Sequence, residues 1–298
     1  MLTKRVILGG MTLNMNDTQI STINDVKEFL LQNDKIQFNY QNKAQAYAWV
    51  EDTLVKFIYI KLSKTDKGIL RTYVALMTGY SRAQVTRLYG VGRIEYAYHF
   101  MALEAGINMM PCRLLEENGR AHFITKRFDR LHGNEKIHVQ SFWALAHLDH
   151  GKRAYSYEQV LSTILQLRLD HEHIQEMYRR MVFNILARNQ DDHTKNIAFM
   201  MNKAGSWRLS PAFDMVWQYD PSGRWSSDHQ LSANGKRDDF SIVDLESVAD
   251  RYGIYKAKEI RNQVADAVAL WPKLAKKAGI KAEIIRYLKS THRLHIMG

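Results

Sequence analysis

The residues best placed to do chemistry lie in NILARNQDDHTKNIAFM, 184–200, and WRLSPAFDMVW, 207–217. Asp191 is followed five positions later by Asn196. Asp214 lies eighteen positions beyond Asn196. A carboxylate can orient a hydroxyl and take its proton. An amide oxygen and a second carboxylate can hold a divalent cation against phosphates. One aspartate by itself usually caps a helix or fills a polar turn. This set differs because apolar residues flank it on both sides: Phe183, Ile185 and Leu186 before, Ile197, Ala198 and Phe199 after. A polar cluster squeezed between buried segments needs a reason.

The elements that must position these residues are mostly helical. Only four prolines occur in 298 residues. Apolar periodicity predicts helices at about 23–32, 43–62, 66–78, 81–89, 93–106, 156–168, 172–188, 243–252, 255–276 and 280–289. Residues 113–129 read as a strand hairpin turning at Asn118-Gly119. A second pair is expected at 197–201 and 207–209. The chain changes character at Tyr89-Gly90-Val91-Gly92, which predicts a head at 1–90 and a larger domain at 91–298.

In the head, RTYVALMTGYSRAQVTRLYG, 71–90, has the spacing of a helix-turn-helix. Ala75 is the small residue at the helix crossing, Gly79 permits the turn, and Val85 packs the second helix on the first. Ser81 can cap that second helix. Arg82, Gln84, Thr86 and Arg87 then project outward, suited to phosphates and base edges. An ordinary helical hairpin with a glycine cap shares the pattern. Residues 11–89, above all LSKTDKGILRTYVALMTGYSRAQVTRL, resemble the helix-turn-helix region of transposon integrases.

A net charge of +11 favours polyanions, whether nucleic acid, nucleotide or acidic lipid. Hydrophobic residues at 46% and charged residues at 24% fit a globular chain with a packed core. The single cysteine, Cys112, excludes an intramolecular disulfide and points to a reducing cytoplasm. No apolar run is long enough to span a bilayer.

Beyond the loop itself, RNQDDHTKNIAF, WRLSPAFDMVW, GRIEYAYHFMALEAGINM (92–109) and HFITKRFDR (122–130) resemble the signature segments of the HipA-type serine/threonine kinases, over roughly 91–280. The resemblance implies a mainly α fold with small β hairpins: a kinase-like C-lobe preceded by the helical head. It implies Asp191 as catalytic base, Asn196 and Asp214 as Mg²⁺ ligands, and His193 and Lys195 beside the ATP phosphates. It places Phe128 in the hinge that meets the adenine, and Glu95 on the helix beside the ATP site. Lys126 stands where the best-known pattern is acidic, and Asp192 where it has glycine. A protein substrate and a small helix-turn-helix antitoxin are the implied partners, in a toxin–antitoxin system. DNA is a further expected partner through the head.

Family members carry another lobe with a phosphate-covering loop and a strand lysine. The head offers no such loop. Lys56 and Lys61 read better on one helix face than as that lysine, which would leave the kinase impaired. The alternative is a non-catalytic DNA-binding or scaffolding protein, an integrase-like head on a degenerate kinase fold. A two-metal recombinase built on Asp191 and Asp214 fits the surrounding residues less well. His171 and His173, or His147, Asp149 and His150, lack metal-ligand spacing. The segment HQLSANGKRDDF, 229–240, resembles the same kinase family and is expected to line the cleft.

Overall fold

The computed structural model describes residues 4–8, 11–15, 20–32, 43–80, 91–117, 120–131, 135–149, 154–221 and 225–298. They fall into two compact units. The first takes in residues up to Arg93 with 114–122 and 281–284; the second holds 94–113, 123–280 and 285–298.

The first unit opens on an antiparallel pair, β1 (Lys4–Leu8) and β2 (Met11–Met15), in register from Lys4↔Met15 to Leu8↔Met11. Neither strand was expected, and the head is therefore not wholly helical. Each run is five residues long, too short for alternation to stand out. Helices α1 (Ile23–Gln32), α2 (Lys43–Lys56) and α3 (Lys64–Thr78) follow. They share a core that includes Val26, Phe29, Val50, Leu54, Leu70 and Tyr73. The Phe29 ring meets the Tyr73 ring edge-on at 5.4 Å. The expected helix 43–62 stops at Lys56, because Ile58 turns to φ 43° and Tyr59–Lys61 tighten into a 3₁₀ turn. Ser63 caps α3 by accepting from the Asp66 N–H at 3.1 Å. At its other end Gly79 adopts φ 70°, its N–H bonded to the Ala75 carbonyl at 2.8 Å. Residues 81–90, with Arg82, Gln84, Thr86 and Arg87, lie outside the described residues.

The second unit is built on α7 (His171–Leu186) and on α4 (Val91–Glu104), apart from the first three residues of α4, which belong to the first unit. Between them in the chain come the hairpin β3 (Cys112–Glu117) and β4 (Arg120–Thr125), of which 114–122 belong to the first unit, then strand β5 (His138–Ser141), the short α5 (Phe142–Leu145) and α6 (Tyr157–Gln166). The second half of α7 is apolar on nearly every face, and Met181, Val182, Phe183, Ile185 and Leu186 are all fully buried. Such a helix is a core element rather than an amphipathic surface one. Helix α6 starts at a capping box between Ser156 and Gln159. After α7 the chain forms β6 (Ala198–Met201) and β7 (Trp207–Leu209), which join β5 in an antiparallel sheet of order β5-β6-β7. Strand β5 was not expected.

Helices α8 (Ile242–Arg251), α9 (Ala257–Ala269), α10 (Trp271–Lys277) and α11 (Ala282–Thr291) complete the fold. The single helix expected over 255–276 is two, divided at Leu270. Pro272 has no N–H to bond back into the preceding turn, and it stands in the first turn of α10 instead. Residues 291–293 tie several elements together. Arg188 Nε donates to the Thr291 carbonyl at 3.1 Å, and Trp217 Nε1 donates to Thr291 Oγ1 at 2.9 Å. His292 Nε2 pairs with the Tyr98 hydroxyl at 2.9 Å, and the Arg293 N–H donates to the Leu186 carbonyl at 2.8 Å.

Candidate functional site

Helix α7 ends at Leu186, and the loop 187–196 runs from its C-terminus to β6. Its course is fixed by backbone pairing with the segment after β7. The Gln218 N–H donates to the Arg188 carbonyl and the Gln190 N–H to the Gln218 carbonyl, both at 3.0 Å. Arg188 and Asp214 take φ values of 58° and 57°. Left-handed backbone at non-glycine residues costs about 1–3 kcal/mol and persists only where surrounding contacts impose it.

This pairing brings the expected triad together. Asn196 Nδ2 donates to the Asp214 Oδ2 at 2.7 Å and to the Asp191 carbonyl at 3.0 Å. The two aspartates and the asparagine thus meet in one place, as their spacing predicts. Burial raises the Asp191 carboxyl above the ordinary aspartate range; His193 works against this, while the charges of Asp214 and Asp192 add to it. His193 Nε2 is 3.8 Å from Asp191 Oδ1, and its Nδ1 is buried without a hydrogen-bond partner among the described residues.

The other expected residues surround this centre. Burial pushes the Glu95 carboxyl on α4 up to about 7, with the charge of Asp214 adding to the shift. Lys195 Nζ lies 4.9 Å from the centre of the Trp143 ring. Phe128 packs on Phe213, the residue before Asp214, at 5.6 Å. Lys126 is exposed and holds its segment through backbone alone, its N–H donating to the Pro111 carbonyl at 2.9 Å.

Asp192, which stands where the resembled pattern has glycine, has a different setting from Asp191. It faces away from the open side and is only 3% exposed. The Tyr157 hydroxyl donates to its Oδ2 at 2.6 Å, His229 Nδ1 meets the same oxygen at 2.8 Å, and the Gln230 N–H donates to Oδ1 at 2.7 Å. Burial works to raise this carboxyl, but the charge of His229 and the three hydrogen bonds outweigh it and hold the carboxyl low. Segment 229–240 therefore supports the loop from behind at its first residues. Adjacent Asp191-Asp192 was the available signal, since consecutive loop residues seldom face the same way. Nothing local named the partners.

The donor set suits a hard cation. Asp191, Asp214 and Glu95 offer carboxylate oxygens and Asn196 an amide oxygen. Among the described residues no group of three or more His, Cys, Asp or Glu side chains could hold a metal ion. Among the described residues no helix is long and apolar enough to cross a membrane.

Comparison with known proteins gives a consistent family. The family described as HipA-like C-terminal domain matches residues 34–271. The match begins well inside the head, so the family's span is not confined to 91–280. A Haemophilus influenzae protein described as "Putative kinase" is 30% identical over 103 residues, covering 32% of this chain and 30% of that protein. Among solved structures, a chain of the Shewanella oneidensis MR-1 toxin–antitoxin complex of HipA, HipB and its operator DNA is similar in fold. The TM-score is 0.58 at 16% identity, over 70% of this chain and 55% of that one. The chain thus spans well under two thirds of both proteins.

Proposed function

We propose that this chain, which belongs to the HipA-like C-terminal domain family, is a serine/threonine protein kinase of the toxin type that uses ATP and Mg²⁺. The observation that carries the reading is Asn196 bridging Asp191 and Asp214, with hydrogen bonds of 3.0 and 2.7 Å. The fit to phosphoryl transfer lies in what each residue can do. Asp191 orients the acceptor hydroxyl and receives its proton on the carboxylate. Its raised affinity for a proton suits a base better than an ordinary aspartate would. Asp214 and the Asn196 amide oxygen would hold Mg²⁺, which when bound neutralises charge on the transferring phosphates. Asn196 also links the two residues, its amide nitrogen donating to the Asp191 backbone carbonyl and to the Asp214 carboxylate. His193 and Lys195 would flank the phosphates, and Phe128 would meet the adenine.

The chain of the Shewanella complex gives the partner reading its support, since that structure combines HipA with HipB and operator DNA. We extend this to an antitoxin partner in the cytoplasm, and to DNA contact through Arg82, Gln84, Thr86 and Arg87. The deciding experiment is transfer of labelled phosphate from ATP to protein, with wild type and Asp191→Asn. The expected result is Mg²⁺-dependent transfer that the substitution abolishes. Transfer that survives it unchanged would remove Asp191 as the base. No transfer by the wild type would favour the non-catalytic scaffold.

A further inference from the structure

The structure holds a buried polar chain that reaches both proposed catalytic carboxylates from behind. It starts at Asp192, whose oxygens accept from Tyr157, His229 and the Gln230 backbone. From Tyr157 it continues inward. Asn184 Nδ2 donates to the Tyr157 hydroxyl at 2.9 Å, and Asn189 Nδ2 donates to Asn184 Oδ1 at 3.0 Å. The same Asn189 nitrogen lies 3.2 Å from the Asp214 carbonyl and donates to it. One end of the chain is thus one peptide unit from Asp191. The other end grips the backbone of Asp214 itself.

Each member is sealed from water: Asp192 is 3%, Asn184 6%, Asn189 2%, and Tyr157 and His229 0% exposed. A buried carboxylate is tolerable only when its lone pairs are met, and three donors meet these. The groups that hold Asp192 are themselves fastened to each other. The Tyr157 N–H donates to the Ser232 carbonyl at 2.9 Å, and the Ser232 N–H to the Tyr155 carbonyl at 3.1 Å. Asp192 is therefore held by two segments that cannot separate without breaking their own backbone bonds. Tyr157 stands 35 and His229 37 positions from Asp192 in the sequence, so local loop propensity cannot supply this grip.

We infer that Asp192, Tyr157 and His229 are positioning residues, which set the place of Asp191 and Asp214 for phosphoryl transfer without touching the reactants. This rests on the kinase reading above. Positional error is costly in such reactions: a displacement near 1 Å lowers the rate by about 100-fold. At its Asp192 end, beside Asp191, this network should act on turnover; nucleotide affinity should respond only at the far end, where Asn189 holds Asp214.

The test uses the full chain with Asp192→Asn, Tyr157→Phe, His229→Leu and His229→Asn. For each, kcat and the KM for ATP are measured alongside amide hydrogen exchange over 189–196 and 214–218. Asp192→Asn keeps the shape but turns an amide toward donors, and kcat is expected to fall about 100-fold with KM unchanged. Tyr157→Phe keeps the ring packing and cuts the link between the two arms, so it should lose about tenfold and carry the test if Asp192→Asn does not fold. His229→Asn places an amide nitrogen where the imidazole Nδ1 was. It should recover most of the rate that His229→Leu loses. Exchange in both loop segments should quicken in step with the rate loss.

A rise in KM at constant kcat, or no recovery in His229→Asn, would overturn the proposal. Unchanged exchange in Asp192→Asn would do the same. If the wild type transfers no phosphate, the kinase reading fails by itself. Faster loop exchange in Asp192→Asn would then still uphold the positional coupling, and unchanged exchange would end both.

Discussion

The open and the buried faces of loop 187–196 carry covalently adjacent aspartates with opposite surroundings. On the open face, Asp191 has one neighbouring histidine, at 3.8 Å, and burial raises its carboxyl. On the buried face, Asp192 is far less exposed yet is held low by three donors. Exposure alone would rank the two the wrong way round. Partner count decides: a satisfied carboxylate is inert structure, while an under-supplied one is free to accept a proton or a cation.

The sharpest way to break this contrast is to exchange the consequences. Asp191→Asn should lower phosphoryl transfer by about 10²–10⁴-fold, the usual range for a general base. Its urea midpoint should stay equal or rise, because a partly desolvated charge is lost. If the midpoint fell as far as the rate, Asp191 would be a structural group like its neighbour. Asp192→Ala should do the reverse on the stability axis. Removing the acceptor leaves three buried donors unmet, each at a cost of about 1–3 kcal/mol, and urea unfolding measures it.

Within the open face, Asp214→Ala should weaken Mg²⁺-dependent nucleotide binding by at least about 10–100-fold, the effect of losing even an indirect metal contact. Calorimetry with and without Mg²⁺ reads this, and equal loss in both conditions would deny Asp214 its metal role. The smallest effect concerns Glu95. Its folded value of about 7 exceeds the ordinary 4.5, so the folded protein binds the extra proton between these values. Stability therefore falls as pH rises from about 4.5 to about 7. Glu95→Gln should raise Tm at pH 8 by about 2–4 °C and have little effect at pH 4.5. An equal shift at both values would show that packing, not charge, is responsible.

The open face was legible in the sequence and the buried face was not. Asp191, Asn196 and Asp214 announce themselves because their spacing spans one loop and one hairpin, and β6 and β7 fall where the apolar runs place them. Gly79 marks a helix end through local chemistry. The partners of Asp192 come from α6 and from the loop after Trp225, and no local rule pairs residues so far apart. Pro272 was visible, but the apolar periodicity on either side of it outweighed a single residue. Strands β1 and β2 escaped because five residues carry too little pattern.

The tie between Arg188 and Thr291 spans 103 positions of sequence. On a ribosome that separation becomes a delay. At ordinary elongation speeds of about 5–20 residues per second, Thr291 is added roughly 5–20 seconds after Arg188. Until then loop 187–196 lacks the residues that fasten Leu186, Arg188 and Trp217. A nascent chain carries the whole triad, Asp191, Asn196 and Asp214, before it carries their clasp. The clasp on this loop is therefore among the last contacts the growing chain can make.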